Sequence, residues 1–256
     1  MAWADASPAL ATLDGRGWAC IDWVSDLHLQ AQEPRTAHAF IDYLANTPAQ
    51  ALFILGDLFE VWVGDDVLHD PSGEFERRCV QALAKAAERM ALFWLPGNRD
   101  FLTGPEFLSA IGARALAENC VLQTGTEVCL LCHGDDLCLQ DAEYMAFRRQ
   151  VRGADWQNAF LARPLAERQS LARQMRKQSR MRQKNLAQWV DVDADAALHS
   201  LREHGATRLI HGHTHQPADH ELGPGLCRTV LSDWCMDGTP TRGQILRWQA
   251  GSTPVW

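Results

Sequence analysis

Five short apolar segments of this chain are each followed at once by side chains that can bind a metal ion. The segments span residues 20–24, 51–55, 91–95, 128–132 and 208–210. Such short apolar runs, separated by amphipathic stretches, predict buried strands. Between them, residues 35–44 and 74–89 carry apolar side chains at helical spacing. The alternation of strands and helices predicts a layered α/β fold.

The remaining segments predict the domain organisation. Residues 228–231 and 244–248 predict two further strands separated by a turn rich in glycine and proline, so we expect mixed sheets. Residues 1–17 show no periodicity and are expected to form an N-terminal extension to one domain over residues 18–256. Within that domain, residues 141–201 contain no convincing strand and predict a helical insertion that caps the core.

Basic residues are concentrated in this predicted insertion. The chain has a net charge of −8, yet residues 148–184 carry 11 Lys and Arg against two acidic residues, which gives +9 there and −17 elsewhere. This asymmetry argues against a general nucleic-acid surface and predicts an anionic partner for the insertion. Apolar residues recur among the arginines at helical offsets, from Trp156 to Met175. Such a stripe commonly packs in a core, but it also fits a cap over an amphiphilic substrate or an interfacial helix on an anionic membrane.

The sequence predicts neither membrane insertion nor secretion. No apolar run approaches the roughly 18 residues that cross a bilayer, and the N-terminus lacks the basic start of a signal peptide. We therefore expect a cytosolic protein whose eight cysteines are reduced. Cys129 and Cys132 do not predict a zinc or redox site, because residues three apart in a strand face opposite sides.

The polar residues at the strand ends predict one metal centre. In chain order the polar side chains at these strand ends that could bind a metal are Asp26, His28, Asp57, Asn98, Asp100, His133, Asp135, His211, His213 and His215. Side chains two apart in an extended chain point the same way, so Asp26 and His28 can reach one ion. The carboxyl ends of the strands meet at one edge, where α/β sheets bind ligands. Carboxylate, amide and imidazole ligands without thiolate favour Mn²⁺, Fe or Zn, and two such ions about 3.5 to 4 Å apart suit phosphoryl hydrolysis.

The order of the blocks Asp-x-His, Gly-Asp, Gly-Asn-x-Asp, His and Gly-His-x-His resembles the calcineurin-like metallophosphoesterase family. The resemblance implies a four-layer α/β/β/α sandwich of mixed sheets with two metal ions. It implies that one ion is held by Asp26, His28, Asp57 and His215, and the other by Asp57, Asn98, His133 and His213. Asp57 would bridge them. A non-catalytic scaffold on the same fold would be free to lose ligands, but all seven positions are filled here.

Arg99 distinguishes this chain from many members of that family, which carry a histidine directly after the asparagine. There the histidine is thought to protonate an alkoxide leaving group. Arg99 cannot do so, because a guanidinium does not give up its proton in proteins, whereas its planar fork can clamp phosphate oxygens. A leaving group that needs no protonation is a phosphate, which predicts cleavage of a diphosphate. The alternative enzyme, a soluble nucleotide or cyclic-nucleotide phosphoesterase, would usually keep the histidine and have a shorter, less basic insertion.

The residues around the ligands resemble one branch of the family, the diphosphatases that hydrolyse UDP-2,3-diacylglucosamine in lipid A biosynthesis. The matching segments are residues 54–66, 97–102, 133–138 and 211–217. The resemblance implies that water attacks the α-phosphorus and releases UMP and 2,3-diacylglucosamine 1-phosphate. It also implies two Mn²⁺ ions and peripheral contact with the cytoplasmic face of the inner membrane. No obligate protein partner is expected.

The same resemblance assigns roles to individual residues. It implies catalytic roles for Asp57, Asn98, Arg99 and His213. It implies substrate contacts from Asn98, Arg99, Asp141, Ser179, Gln183, Lys184 and His213. For Asp141 the residues alone leave a second interpretation open, because an aspartate at this position could equally cap the helix that follows it.

Overall fold

One continuous mixed sheet runs through the protein. The computed structural model describes residues 9–185 and 190–256, without the side chains of residues 180 and 182–185. The strands in these ranges are β1 (Leu10–Asp14), β2 (Cys20–Val24), β3 (Ala51–Leu55), β4 (Ala91–Leu95), β5 (Ala113–Gln123), β6 (Val128–Leu131), β7 (Arg208–His211), β8 (Ala218–Gly223), β9 (Leu226–Val230) and β10 (Leu246–Gln249). The α-helices are α1 (Pro34–Asn46), α2 (Glu74–Ala87), α3 (Pro105–Ile111), α4 (Ala142–Val151), α5 (Ala154–Leu161), α6 (Leu165–Asn185) and α7 (Ala194–Glu203).

The strand order divides the sheet into two halves. The order is β10-β2-β3-β4-β5-β6-β7-β9-β8, and β1 pairs with β5. Neighbours from β2 to β5 are parallel, as are β6, β7 and β9, whereas the pairs β10–β2, β5–β6 and β8–β9 are antiparallel. The long β5 serves both halves, since residues 113–115 pair with β4 and residues 120–123 with β6. The expectation of mixed sheets is confirmed.

Apolar packing stacks the two half-sheets face to face and covers their outer faces with helices. Trp23, Phe53 and Leu131 are among the side chains buried between the halves. α1 to α3 cover the outer face of the first half with residues such as Phe40, and α7 covers the second half with residues such as Leu201. Each such side chain contributes roughly 1.5 to 3 kcal/mol when it leaves water. The resulting order of layers is the four-layer α/β/β/α sandwich that the resemblance implied.

All the predicted strands and helices are present, and their ends differ by a few residues. The strand predicted over 128–132 stops at Leu131, and the strand predicted over 208–210 extends to His211. Residues 228–231 and 244–248 overlap β9 and β10. α1 begins at Pro34, whose fixed φ suits the first helical turn.

Four elements escaped the sequence pattern, namely β1, β5, α3 and β8. β1 lies within residues 1–17, where it pairs in parallel with β5 and buries Leu13. The sequence of β5 mixes alanine with charged residues, and that of β8 is polar and half exposed. Neither strand therefore shows an apolar run. Pairing with neighbouring strands overrides the weak local preference of both segments.

The predicted insertion contains helices and divides into two parts. α7 packs on β7 and β9 of the second half-sheet. α4, α5 and α6, called the cap helices below, are joined to the core by side chains such as Arg152, whose Nη2 donates to the Gly97 carbonyl at 2.9 Å. In the described ranges no helix is both long enough and apolar enough to span a bilayer.

The eight cysteines are all free. Cys129 packs between the two half-sheets, whereas Cys132 packs on the outer face near α7. The two side chains therefore face opposite sides of the sheet, as the strand geometry predicts. Burial raises the pKa of the Cys129 thiol to about 12 and that of Cys132 well above its usual value, so both stay protonated.

Candidate metal centre

The seven candidate ligands follow the carboxyl ends of β2, β3, β4, β6 and β7 at one edge of the sandwich. Five of them have a positive φ, between 47° and 66°: Asp26, His28, Asp57, His213 and His215. No other non-glycine residue in the described parts of the chain has one. Such a backbone costs of the order of 1–3 kcal/mol per residue and persists only where the surrounding structure imposes it. Its restriction to these five residues marks the edge as a functional site.

Three side chains form a first group of ligand atoms. His215 Nε2 lies 3.1 Å from Asp26 Oδ1 and 3.2 Å from His28 Nε2. His28 Nε2 lies 3.8 Å from the same oxygen of Asp26. Asp26 is fully buried, and its Oδ2 accepts a hydrogen bond from the His213 N–H at 2.8 Å, which fixes its orientation.

Three more side chains form a second group around the amide of Asn98. Asn98 Oδ1 is 3.0 Å from His133 Nε2 and 3.0 Å from His213 Nδ1. His133 is buried, and its other nitrogen lies 2.9 Å from the Leu55 carbonyl. A donor on Nδ1 leaves Nε2 as the lone-pair nitrogen that faces the group.

Asp57 lies between the two groups. Its Oδ2 is 4.0 Å from His28 Nε2, and its Oδ1 is 3.7 Å from His133 Nε2. The Arg99 N–H donates to Oδ1 at 2.8 Å and holds the carboxylate in place. Among the described residues, Asp26, His28 and His215 have ligand atoms close enough together to hold a metal ion, and so do Asp26, Asp57 and His133. These oxygen and nitrogen donors fit divalent cations.

Asp100 fixes the loops that carry these ligands, although the sequence identified it only as the last residue of the Gly-Asn-x-Asp block. It is fully buried, and its oxygens accept hydrogen bonds from the N–H groups of Gly97 at 2.8 Å and Leu58 at 2.7 Å. Burial and the charge of Asp57 raise its pKa to about 7. Asp100 therefore ties the loop after β3 to the loop after β4.

The two histidines of the second group have different electrostatic environments. In His213, burial and the charge of His133 lower the pKa to about 4. Burial also acts to lower the pKa of His133, but the negative charges of Asp57 and Asp26 outweigh this effect and raise the pKa to about 9. The carboxylates thus give the cluster a negative potential that favours bound cations. Because a ligating imidazole must be neutral, cation binding has to release the proton of His133.

Two outer carboxylates, not predicted from the sequence, contact the histidines of the first group. Glu60 Oε2 lies 3.4 Å from His28 Nδ1, and Asp233 Oδ2 lies 4.0 Å from His215 Nδ1. An arginine holds each carboxylate: Arg176 of α6 donates to Glu60 through Nε at 3.0 Å, and Arg242 donates to Asp233 through Nη2 at 2.7 Å. Carboxylates of this kind orient metal-binding imidazoles. The spacing of the motifs did not indicate a contact of Glu60 with His28 or of Asp233 with His215.

Arg99 lies where two cavities meet. Its Nε is 3.7 Å from Asp57 Oδ2 and has no hydrogen-bond partner among the described residues. The metal cavity, of about 400 Å³, is lined by five of the seven candidate ligands and by both Arg99 and Asp141. The apolar cavity, of about 420 Å³, lies beneath the cap helices and is lined by aromatic residues such as Trp156 and Phe160. Both cavities share Asn98, Arg99, Tyr144, Arg176 and Ser179.

The resemblance also implied that four other residues contact the substrate, and the structure describes two of their side chains. Asp141 both lines the metal cavity and caps α4, since it accepts a hydrogen bond from the Tyr144 N–H at 2.9 Å. Ser179 of α6 lines both cavities. Gln183 and Lys184 fall within α6, but their side chains lie outside the described part of the structure.

Comparison with known proteins agrees with this site. The model of the family described as calcineurin-like phosphoesterase matches residues 21–217. The chain therefore belongs to the calcineurin-like phosphoesterase family. Within it, the chain is similar over most of its length to curated proteins named UDP-2,3-diacylglucosamine hydrolase. The relative from Cellvibrio japonicus is 42% identical over 88% of this chain and 98% of its own.

Two further relatives carry the same name. The protein from Chromohalobacter salexigens is 40% identical, and the match covers 90% of this chain and 94% of that protein. The protein from Aromatoleum aromaticum is 44% identical over 91% of this chain and 94% of its own length. These matches include the cap helices as well as the metal edge, so the likeness extends beyond the fold common to the family.

Proposed function

We propose that this protein hydrolyses the diphosphate of UDP-2,3-diacylglucosamine, a step of lipid A biosynthesis, and yields UMP and 2,3-diacylglucosamine 1-phosphate. The observation that carries the proposal is the junction of the metal cavity with an apolar cavity at Asn98, Arg99 and Ser179. A phosphoesterase acting on small soluble esters has no need of the second cavity. The similar proteins from three bacteria, all named UDP-2,3-diacylglucosamine hydrolase, support the same substrate.

Two Mn²⁺ ions are the proposed cofactors. Asp26, His28, Asp57 and His215 would hold one ion, and Asp57, Asn98, His133 and His213 the other. When bound, such ions polarise phosphoryl oxygens and lower the pKa of water. The donor set has no thiolate and combines carboxylate, amide and imidazole, which suits Mn²⁺ better than a soft metal.

The residues beside the metals position the diphosphate. Arg99 would clamp the phosphate oxygens, because its side chain borders both cavities and keeps its proton. The leaving group then departs as a phosphate that needs no proton donor. Asn98 and His213 are joined by the 3.0 Å contact of their polar atoms, so each helps to fix the other against the substrate. Asp141, Ser179, Gln183 and Lys184 are the remaining proposed substrate contacts.

The cap helices would bind the two acyl chains. Trp156 and Phe160 stack with their ring centroids 4.8 Å apart and form part of the wall of the apolar cavity. We propose the segment 141–201 as the insertion that caps the domain over residues 18–256, with α4 to α6 covering the site. The residues before 18 would form an extension that adds β1 to the sheet.

The same helices would contact the cytoplasmic face of the inner membrane. Four of the exposed large apolar residues lie in or next to them: Leu139, Phe147, Leu161 and Met181. The excess of Lys and Arg in residues 148–184 would attract anionic headgroups. Apolar side chains among basic ones are typical of an interfacial contact that does not span the bilayer.

The test is turnover of UDP-2,3-diacylglucosamine with Mn²⁺, with and without a chelator, beside bis-p-nitrophenyl phosphate and UDP-glucose. We expect chelator-sensitive UMP release from the diacylated substrate and little from UDP-glucose. Equal or faster cleavage of the two controls would reject the lipid substrate. The protein would then be assigned to the phosphoesterases that act on soluble substrates.

A further inference from the structure

The nucleoside of the proposed substrate needs a binding region of its own. The apolar cavity joins the metal cavity at Asn98, which belongs to the second group of ligands, and at the neighbouring Arg99. A lipid held there and a diphosphate centred on Asp57 leave the far end of the metal cavity for the nucleoside. The way to that end leads past His28 and His215 of the first group.

The metal cavity continues in this direction to a wall made of two loops. Its lining there includes Gln30 and Glu33 from the loop after β2, and Trp234 and Arg242 from the loop between β9 and β10. None of these four residues is among the described lining of the apolar cavity. Asp237 of the second loop accepts hydrogen bonds from Thr36 N–H at 2.9 Å and from Thr36 Oγ1 at 3.0 Å, which ties this loop to the first turn of α1, directly after the first loop. The wall is therefore preformed.

The polar atoms of this wall match those of a pyrimidine nucleoside. Gln30 Nε2 donates to Glu33 Oε1 at 2.8 Å, which leaves the Gln30 carbonyl oxygen and a second N–H for the imide edge of uracil. A carboxylate such as that of Glu33 is a common acceptor for ribose hydroxyls. Trp234 is only 5% exposed, and its Nε1 has no hydrogen-bond partner among the described residues. Its indole ring packs against Phe40 and Tyr43, so it forms a rigid apolar part of this wall.

We propose that Gln30, Glu33 and Trp234 form the subsite for the uridine monophosphate half of the substrate. Arg242 stands at the same end, held by both of its hydrogen bonds from Nε and Nη2 to Asp233. The substrate would then lie across the metal edge, with its lipid under the cap helices and its nucleoside against the two loops. This inference rests on the proposed function, because it takes the ligand to be a UDP-linked lipid.

The test is the binding of UMP and of 2,3-diacylglucosamine 1-phosphate to the Mn²⁺-loaded protein, measured by titration calorimetry. We expect Gln30→Ala and Glu33→Ala each to weaken UMP binding about tenfold, because each removes polar contacts to the nucleotide. Binding of the lipid product should change less than about twofold. Glu33 precedes α1 but makes no side-chain cap, so its replacement leaves the helix start intact.

The matched control is Gln32→Ala, since Gln32 is an exposed glutamine of the same loop that does not line the metal cavity. Unchanged UMP binding in Gln30→Ala and Glu33→Ala would overturn the subsite even if wild-type protein binds UMP and hydrolyses the lipid substrate. An equal loss of affinity for both products would also overturn it. Wild-type protein that binds the lipid product but no UMP would refute the nucleoside subsite alone, whereas binding of neither product would refute the proposed function with it.

Discussion

The metal edge and the cap helices are built in opposite ways. At the metal edge, each ligand lies within a few residues of a strand end, and main-chain N–H groups fix carboxylates such as Asp57 and Asp26. The cap helices are attached through long side chains that reach the core, as with Arg148 to Asp135 at 2.9 Å and Arg168 to the Val63 carbonyl. The ligands are thus positioned by main-chain contacts close to the strand ends, whereas the position of the cap helices depends on arginine contacts to residues distant in sequence.

The largest expected effect is at the centre of the metal edge. Asp57→Ala removes the carboxylate shared by both groups, so we expect turnover to fall by at least about a thousandfold and bound metal to fall with it. Metal analysis of the purified protein and UMP release measure the two effects. Asp42→Ala, on an exposed position of α1, is the control. Near-normal turnover of Asp57→Ala would refute the two-metal proposal.

Arg99→Ala separates substrate positioning from metal binding. We expect turnover to fall about a hundredfold, because preorganised charge at the phosphate is lost, while metal content stays at the wild-type value. Arg99→Lys should restore little, since an ammonium lacks the planar fork of the guanidinium. Metal analysis of the purified variant distinguishes a loss of substrate positioning from a loss of bound metal. Loss of metal in parallel with activity would mean that Arg99 acts by holding Asp57 rather than the substrate.

Arg152→Ala tests whether the cap helices serve the lipid substrate alone. Arg152 donates to the Gly97 carbonyl and lies over the Phe101 ring, 5.2 Å from its centroid. Losing this link should slow the diacylated substrate about tenfold and leave bis-p-nitrophenyl phosphate within about twofold. The control is Arg149→Ala, because Arg149 is a nearby arginine that is exposed. Equal slowing of both substrates would show that the cap helices support the metal edge itself.

Acid is expected to act on the stability of the fold rather than on turnover. Burial lowers the pKa of His211 to about 3, below the ordinary value of 6.5. Between these two pKa values, His211 is protonated in the unfolded chain but neutral in the folded one. The free energy of unfolding therefore falls as the pH drops below about 6.5, by about 2 kcal/mol at about pH 5. The variant His211→Asn should lack this contribution to the fall in the free energy of unfolding. Urea unfolding of both proteins with chelator, at about pH 7.5 and about pH 5, measures the difference. An identical pH dependence would contradict the assignment.

The sequence predicted what is local in this structure. The apolar runs predicted the central strands, since Ile21 to Val24 and Leu52 to Leu55 are buried on both faces. The residues directly after those runs predicted the ligand cluster, because parallel strands bring their carboxyl ends to one edge. β1, β5 and β8 could not be predicted in this way, since their pairing partners, and not their own residues, specify them.

The parts of the site that escaped prediction are joined by long-range contacts. Glu60 lies beside His28 and is held by Arg176, which is 116 residues further along the chain. Asp233 lies beside His215 and is held by Arg242. Glu60 lies in the same loop after β3 as Asp57, but the spacing of that segment did not indicate its contact with His28. Asp233 belongs to none of the motifs, and the loop after β9 brings it to His215.

Each group of ligands takes members from both half-sheets. Asp26 and His28 follow β2 in the first half, whereas His215 follows β7 in the second. Asn98 likewise comes from the first half, and its partner His133 from the second. A nascent or partly refolded chain would therefore lack both proposed ion-binding sites until its halves dock, and its hydrolytic capacity would arise only then.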